Sequence, residues 1–416
     1  MTAKTQLGDA AWLKAGELPR LLAALDRDGE QARVVGGAVR NELLGLAVDE
    51  IDVATTALPE EVIRRVTAAG WKSIPTGIEH GTVTVVIDGR PFEVTTLRQD
   101  VETYGRKAKV VFGRDWRADA ERRDFTINAL SVAGDGRIYD YVGGEGDIAA
   151  RRVRFIGEPG TRIAEDYLRI LRFFRFHAWY GAGAPDAAGL HACILARGGI
   201  EALSRERVRM ELLKLLLAPH AAPALAVMAE TGILGSVLGG VPLLASFENV
   251  VKAEVATGLP ADAVRRLGAL AVAVMEDGER LAERLRLSNA EAARLTALEC
   301  WWRVTPAAGA QAAHALLYRL GPQSFADRVL VAWSRSAAGA ADRAWRELAD
   351  LPRHWTAPVF PLKAADFMQR GIVAGPALGA AMRAAQNAWI EADFPTDRVV
   401  LEAIADRTAQ ESAATG

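Results

Sequence analysis

The sequence predicts an α+β amino-terminal region followed by a remainder built of helices alone. Three observations carry this expectation. Val34-Val35 runs into Gly36-Gly37 and then into a helix-forming stretch, Ala38 to Leu44, so a strand turns sharply into a helix where no Cβ obstructs it. TVTVVI and PFEVTTLR flank Asp88-Gly89, two strand patterns around a hairpin turn. From about Ala221 the composition shifts toward alanine and leucine, with helices punctuated by glycine and proline and no fixed-period repeat.

The chain has 416 residues, which suggests about two to four domains. Half the residues are hydrophobic and a quarter charged, a soluble globular composition. The net charge of -2 excludes a polycation, so any nucleic-acid surface must be a local patch. Cys193 and Cys300 lie far apart, without metal-ligand spacing, and fit reduced thiols in a cytoplasm. Neither an amino-terminal leader pattern nor an apolar run of membrane-spanning length is present, so a cytoplasmic protein with no membrane partner is expected.

The residues through Gly8 read as a frayed start, and Trp12 to Leu25 as one amphipathic helix. After the glycine pair, the first helical amides and Arg40 could hold a phosphate. Leu46 to Ala54 reads as the next strand. In it Glu50 and Asp52 stand two apart and project from one face, with Asp49 on the other. Paired carboxylates beside a phosphate-holding turn are what a magnesium-dependent phosphoryl or nucleotidyl transfer needs. Pro59 to Ala69 begins a helix with Glu60-Glu61 at its positive end. The returning strand of the hairpin carries Glu93, with Val94 pointing the other way.

Arg98 to Arg117 loses its periodicity and reads as a basic loop hinged at Gly105 and Gly113. There Arg98, Arg106, Lys107, Lys109, Arg114 and Arg117 outnumber Asp100, Glu102 and Asp115 by three. Arg122 to Ala129 should open a helix with Asp124 near its start and Asn128 one turn below on the same face. Tyr139 to Ile156 reads as a turn-rich connector whose RRVRFIG returns as a strand. Thr161 to Tyr180 reads as a continuous helix. At about 100° per residue, Asp166, Arg169 and Arg172 share an arc of roughly 120°. Leu168, Leu171 and Phe174 face a core opposite it, and Arg175 turns toward the apolar side. Ser204 is the expected N-cap of the next helix, with Arg207 and Glu211 one turn apart and Pro219 beyond its end. Leu351 to Pro361 reads as a proline-bearing linker.

These motifs occur in order and together resemble a known family. GGAVRN, a carboxylate-x-Asp, VATTALPEEV, RRDxxxNA and EDxxR are similar to the class II tRNA nucleotidyltransferase and bacterial poly(A) polymerase superfamily. The resemblance is strong over roughly the first 220 residues and weak in the tail. It implies a nucleotidyltransferase-type mixed β-sheet with flanking helices as an α+β head over residues 1–150, followed by an all-α neck, body and tail. The helical neck spans 151–220, the body 221–350, and a tRNA-contacting tail 351–416, where Gly371 and Gly375-Pro376 shape a helical hairpin.

The implied reaction is template-free addition of CMP, CMP and AMP, from CTP and ATP, to the 3′ end of tRNA with Mg2+ as cofactor. Glu50 and Asp52 would hold the metal, although the family has Asp at both positions. Glu93 would be a third carboxylate, His80 lies in a segment like the family's H-G-T, and Gly36, Gly37 and Arg40 would bind the triphosphate. Arg123 would contact the nucleotide, and Asp124 and Asn128 would organise its ribose end. Asp166, Arg169 and Arg172 would select the base, with Arg175 also in the family pattern. The basic loop resembles the segment needed to add A after the two Cs. No His-Asp dipeptide occurs, which argues against a carboxy-terminal phosphohydrolase domain. Two alternatives stay open. A bacterial poly(A) polymerase would carry an RRFRLAH-like segment where this chain reads PTGIEHGTV; an RNA-binding protein keeping the fold without the chemistry draws its support from Glu50. The oligomeric state is not assigned.

Overall fold

The computed structural model describes residues 6–104 and 107–414. They form two compact units, Met1–Val237 and Leu238–Gly416.

The first unit is built on a seven-stranded sheet in the order β3-β4-β5-β2-β1-β8-β9. The strands are β1 (Ala32–Val35), β2 (Asp52–Thr55), β3 (Lys72–Gly77), β4 (Thr82–Ile87), β5 (Arg90–Thr96), β6 (Arg98–Tyr104), β7 (Lys107–Phe112), β8 (Ser131–Val132) and β9 (Ile138–Tyr139). Only β2 and β5 run parallel; the other pairings are antiparallel, so the sheet is mixed as expected. Strict alternation buries Val83, Val85, Ile87, Phe92 and Val94 on one face. The β4–β5 hairpin closes through Asp88-Gly89, both in the left-handed region (φ 50° and 84°), as an Asp-Gly turn requires.

The helices of this unit are α1 (Ala11–Lys14), α2 (Leu18–Leu25), α3 (Gly37–Leu44), α4 (Pro59–Ala68), α5 (Trp116–Glu121), α6 (Gly144–Ala149), α7 (Pro159–Glu165), α8 (Leu168–Tyr180), α9 (Ala187–Ala196), α10 (Arg205–Leu216) and α11 (Ala221–Glu230). α2 lays Leu18, Leu21, Leu22 and Leu25 into the core. α8 buries Leu168, Leu171 and Phe174 on the expected face.

Several segments depart from the sequence expectation, each for a local reason. The helix expected over Trp12 to Leu25 breaks at Gly16, which adopts φ 73°. The start is not frayed from Gln6 on: Leu7 is buried, its N–H donates to the Gly136 carbonyl at 2.7 Å, and Gln6 bridges to Arg137. A Cβ on Gly136 would lie 2.7 Å from the Gly8 backbone, so glycine permits that approach. The second strand begins only at Asp52, so Glu50 precedes it in irregular chain. The basic excursion is a two-stranded hairpin, with β6 and β7 paired from Arg98 opposite Phe112 to Tyr104 opposite Lys107. Gly113 is tied at its base by an N–H to the Leu97 carbonyl at 2.9 Å. The expectations for Gly105 and Arg106 lie outside the described residues.

Residues Arg122 to Ala129 form a single 3-10 turn, Thr126–Asn128, after an extended Phe125. RRVRFIG contributes one isolated bridge, Phe155 to Phe125, rather than a strand. There the buried Asp147 carboxylate binds Arg152 at 2.5 Å and Arg154 at 2.9 Å, wrapping the chain around the end of α6. The long helix over Thr161 to Tyr180 is broken at Asp166, whose extended backbone (φ −157°, ψ 107°) separates α7 from α8.

In the second unit the helices include Leu244–Thr257, Ala263–Ala271, Gly309–Ser334, Arg343–His354, Pro376–Glu391 and Arg398–Ala414. The Gly-Pro signal marks a kink in Gly309–Ser334, where Gly321 takes φ 72°. The linker starts later than expected, since Leu351 to His354 continue a helix. Arg265 and Glu254 pair at 2.8 Å, and Arg265 reaches Asp327 at 3.0 Å, all nearly inaccessible to water. Such a network resists single substitution because each partner left alone would be a buried charge. Among the described residues no helix is long and apolar enough to cross a membrane.

Candidate active site

The carboxylates gather at the edge where β2 begins. Parallel pairing sets Asp52 in register with Glu93 of β5, and Glu93 in turn lies opposite Thr84 of β4. Side chains in register on adjacent strands share a face, so the two carboxylates are neighbours. Glu50 does not share a strand face with Asp52. Because the chain ahead of β2 is irregular, both Asp49 and Glu50 line a cleft of about 440 Å³ with Asp52, Arg90 and Glu93, and Asp49 does not turn away.

The Asp52 carboxyl is held above its usual range. Desolvation in the cleft is the largest cause, the Glu93 charge adds to it, Arg123 opposes, and Glu50 raises it further. Although Asp52 is exposed at the strand end, crowding by two like charges is the cause that persists in water. Among the described residues no three His, Cys, Asp or Glu side chains form a ready-made metal cage. Magnesium does not require one: it keeps several waters and takes one or two carboxylates together with substrate phosphates. A set of hard oxygens whose mutual repulsion a cation would relieve therefore fits such an ion.

The glycine turn lies beside this edge. Gly36 has φ 69° and ψ −115°, its N–H donates to the Leu130 carbonyl at 2.9 Å, and a Cβ there would come within 3.1 Å of Arg123 Nη1. The first amides of α3, from Gly37 on, have no acceptor within the helix and point to where an anion would be held. Arg40 is buried on the first turns of α3. Its Nη1 donates to Asn128 Oδ1 at 2.5 Å and its Nη2 to the Tyr180 hydroxyl at 2.9 Å. Burial lowers the Arg40 pKa most; Tyr180 raises it, Arg175 lowers it and Asp124 raises it.

Asp124 organises the next layer. Burial pushes its carboxyl up, but Arg172 and the hydrogen bonds from Asn128 and the Phe125 N–H outweigh this and hold it below the usual range. Arg172 donates to Asp124 through Nε at 2.7 Å and Nη2 at 2.5 Å, and Asn128 Nδ2 donates at 3.2 Å. Arg123 pairs with Asp119 at 3.3 Å rather than with its neighbour Asp124.

Asp166 sits in the break between α7 and α8. Its Oδ1 accepts the Leu168 N–H at 3.1 Å and its Oδ2 accepts from Arg207 Nη2 at 2.5 Å. Arg169 pairs with Glu165 and donates to the Arg162 carbonyl at 2.5 Å. Glu211 pairs with Arg175 at 2.5 Å, so the expected Arg207–Glu211 pair does not form.

One cleft of about 470 Å³ draws these residues together. Gly36, Gly37 and Arg40 line it with Asp52, and so do Arg123, Asp124 and Asn128. Asp166, Arg169 and Arg172 complete it from the α7–α8 side. Glu50 and Glu93 belong instead to the adjoining cleft that shares Asp52. Arg175 is not among the lining residues; its guanidinium stacks over Phe176 at 4.3 Å and supports the wall from behind. Leu168, expected to face a core, and Arg207, expected beside Glu211, also line the cleft, as does Phe176, for which there is no sign in the sequence. Arg207 was readable only as a helix-surface charge, because nothing local reports a partner 41 residues away.

Comparison with known proteins bears on the family and the fold. The family model described as the poly A polymerase head domain matches residues 32–154, and one described as a probable RNA and SrmB-binding site of polymerase A matches 192–247. The chain is 36% identical over 297 residues to the mitochondrial CCA tRNA nucleotidyltransferase 1 of Mus musculus, covering 70% of this chain and 67% of that protein. This chain belongs to the class II CCA-adding enzyme family. The Danio rerio CCA tRNA nucleotidyltransferase 1 is 45% identical over 206 residues, 49% of this chain and 48% of that protein, so the chain matches about half of its length. A crystal structure of the Bacillus stearothermophilus CCA-adding enzyme in complex with CTP superposes with a TM-score of 0.77 at 28% identity, over 96% of this chain and 98% of that one. The mixed-sheet head followed by helices is therefore the fold of CCA-adding enzymes, nucleotidyltransferases that generally use a divalent metal.

Proposed function

We propose that this protein adds C, C and A to the 3′ end of tRNA, taking CMP from CTP and AMP from ATP, with Mg2+ as the metal and the cytoplasm as its compartment. The observation that carries the reading is the cleft in which Asp52, a glycine turn with Arg40, and both Asp166 and Arg169 come together. The four-part division into head (1–150), neck (151–220), body (221–350) and tail (351–416) is the proposed division of labour.

In this scheme Asp52, with Glu50 from the preceding segment and Glu93 alongside, would hold the metal. A divalent ion bound there would neutralise phosphate charge and lower the pKa of the 3′-hydroxyl. The α3 amides from Gly37 and the Arg40 guanidinium orient the triphosphate. Arg123 contacts the nucleotide, and Asp124 with Asn128 fixes the ribose end while holding Arg172 and Arg40 in place. Asp166 offers acceptors and Arg169 donors, a combination able to pair with the edges of C and A. The hairpin of β6 and β7 is the proposed element needed for the final A.

The deciding experiment supplies the protein with tRNA lacking its three terminal nucleotides, Mg2+ and labelled CTP or ATP. Incorporation of two Cs followed by one A is expected. Runs of A without C would favour a poly(A) polymerase, the activity named in the matching family model. RNA binding with no incorporation in Mg2+ or Mn2+ would favour a non-catalytic binder.

Selection supplies a second expectation. Asp166→Ala or Arg169→Ala should raise misincorporation of U or G by about tenfold or more, since one lost edge-pairing group is worth ~1–2 kcal/mol. tRNA affinity should change little. Native preference in both variants would leave these residues as a surface ion-pair network.

The crowded Asp52 predicts a pH effect. A carboxyl with a raised pKa takes its proton at a higher pH than an exposed aspartate, so metal-dependent turnover should fall earlier as the pH drops. More Mg2+ should move this acid limb down, because cation and proton compete for one oxygen set. In the absence of metal, ionised Asp52 costs the fold stability above its raised pKa, and protonation recovers it as the pH falls. Profiles of kcat/KM at two Mg2+ concentrations test this; a limb indifferent to Mg2+ would remove Asp52 from the metal site.

A further inference from the structure

We propose that Gly199 is a positioning residue for nucleotide selection, acting through the ring of Tyr167 to fix the helix break that carries Asp166. This rests on the reading of Asp166 as a base-selecting group. Gly199 lies in the 3-10 segment Arg197–Ala202, which follows α9. A Cβ built on it would stand 2.1 Å from Tyr167 Cδ1, 2.3 Å from Cε1 and 2.4 Å from Cγ. No side chain fits at those separations, so the Tyr167 ring packs directly on the Gly199 backbone.

The backbone conformation does not explain the glycine. Gly199 is not among the glycines with positive φ, so an alanine could adopt its dihedrals. Its neighbour Gly198 also lacks a positive φ, yet a Cβ there would meet nothing within 4 Å. The adjacent pair thus separates space from conformation: one position needs glycine only because of a ring, and the other does not need it at all.

Tyr167 is the residue between Asp166 and α8. Its backbone is already helical (φ −61°, ψ −16°), and its carbonyl accepts the Ile170 N–H at 3.1 Å. The chain turns from extended to helical within this one residue step, and Asp166 caps the turn through the Leu168 N–H. A ring held against Gly199 therefore fixes the Cα next to Asp166, and with it the angle at which the carboxylate meets Arg207. A Cβ 2.1 Å from the ring falls short of the 3.4 Å of ordinary contact, so the ring must move by more than about 1 Å, a displacement that at a selective site costs up to ~10²-fold. Tyr167 does not line the cleft, so its influence passes through Asp166.

The test measures kcat and KM for CTP, ATP, UTP and GTP on tRNA lacking its end, with tRNA affinity and thermal stability recorded alongside. The variants are Gly198→Ala, Gly199→Ala, Tyr167→Ala and the Gly199→Ala/Tyr167→Ala double. Gly199→Ala should lower discrimination of C over U by about tenfold or more, with tRNA affinity unchanged. Gly198→Ala should match the native protein. The double variant should discriminate like Tyr167→Ala alone, since the three atoms nearest the added methyl all belong to that ring. Native discrimination in a destabilised Gly199→Ala would overturn the proposal and leave a packing contact. If Gly199→Ala does not fold, Tyr167→Ala decides: native discrimination there overturns the proposal, and lost discrimination supports it. A native protein that incorporates neither C nor A overturns the proposed function instead, a separate result.

Discussion

Asp52→Ala is expected to lower nucleotide incorporation about a thousandfold or more while tRNA binding stays near native. Asp52 opens β2 at the one point shared by both clefts, in register with Glu93; under the proposed function its carboxylate would face the reacting phosphate. The loss should appear in kcat, because the group acts on developing charge rather than on ground-state affinity. Single-turnover rates and tRNA titrations on one preparation measure the two effects. Glu50 supplies the graded comparison. It reaches the cleft from irregular chain, where no strand pairing fixes its backbone, so Glu50→Asp should stay within about tenfold of native and Glu50→Gln should fall further. Native turnover in Asp52→Ala would end the metal assignment; native turnover in Glu50→Gln would pass the first ligand position to Asp49, which lines the same cleft.

Asp124→Ala should cost both stability and nucleotide affinity. The carboxylate accepts from Arg172, Asn128 and the Phe125 N–H, and Asn128 in turn accepts from Arg40. Removing it leaves a half-buried guanidinium whose remaining ion-pair partner among the described residues is Glu211, 3.6 Å away. Breaking a fully buried pair costs about 3–5 kcal/mol; because Arg172 is partly open to water, about 2–3 kcal/mol is expected here. The Asp124 pKa is lowered in the folded protein. Its stabilisation is therefore present above the unfolded-state pKa and lost as the pH falls through the lower folded value. Denaturant midpoints of native protein and Asp124→Asn should differ at neutral pH and converge below the ordinary carboxylate range. KM for both CTP and ATP should rise as Arg40 loses its anchored partner. Equal midpoints at neutral pH would show that the Asp124–Arg172 contact contributes nothing net.

The sequence by itself determined whatever depends on near neighbours. Strand alternation in TVTVVI, the Asp88-Gly89 turn and the apolar stripe Leu168, Leu171 and Phe174 follow from local sterics and period, and all three are present. The order of the glycine turn, carboxylates, RRDxxxNA and EDxxR is likewise legible in the sequence alone, and it resembles the family to which the chain belongs. Tertiary structure decided what local propensity misjudged. A helix is the local expectation for Thr161 to Tyr180, but Asp166 leaves it, its carboxylate accepting from the Leu168 N–H and from Arg207 of another helix. Glu50 was expected to share a strand face with Asp52, yet β2 pairs with β1 only from Asp52, opposite Val35, onward. Strand length is set by pairing, and pairing is not written in either strand alone. The ring of Tyr167 against Gly199 is of the same kind: two residues 32 apart meet because the chain folds back, and a glycine with ordinary dihedrals carries no local sign of the reason it is there.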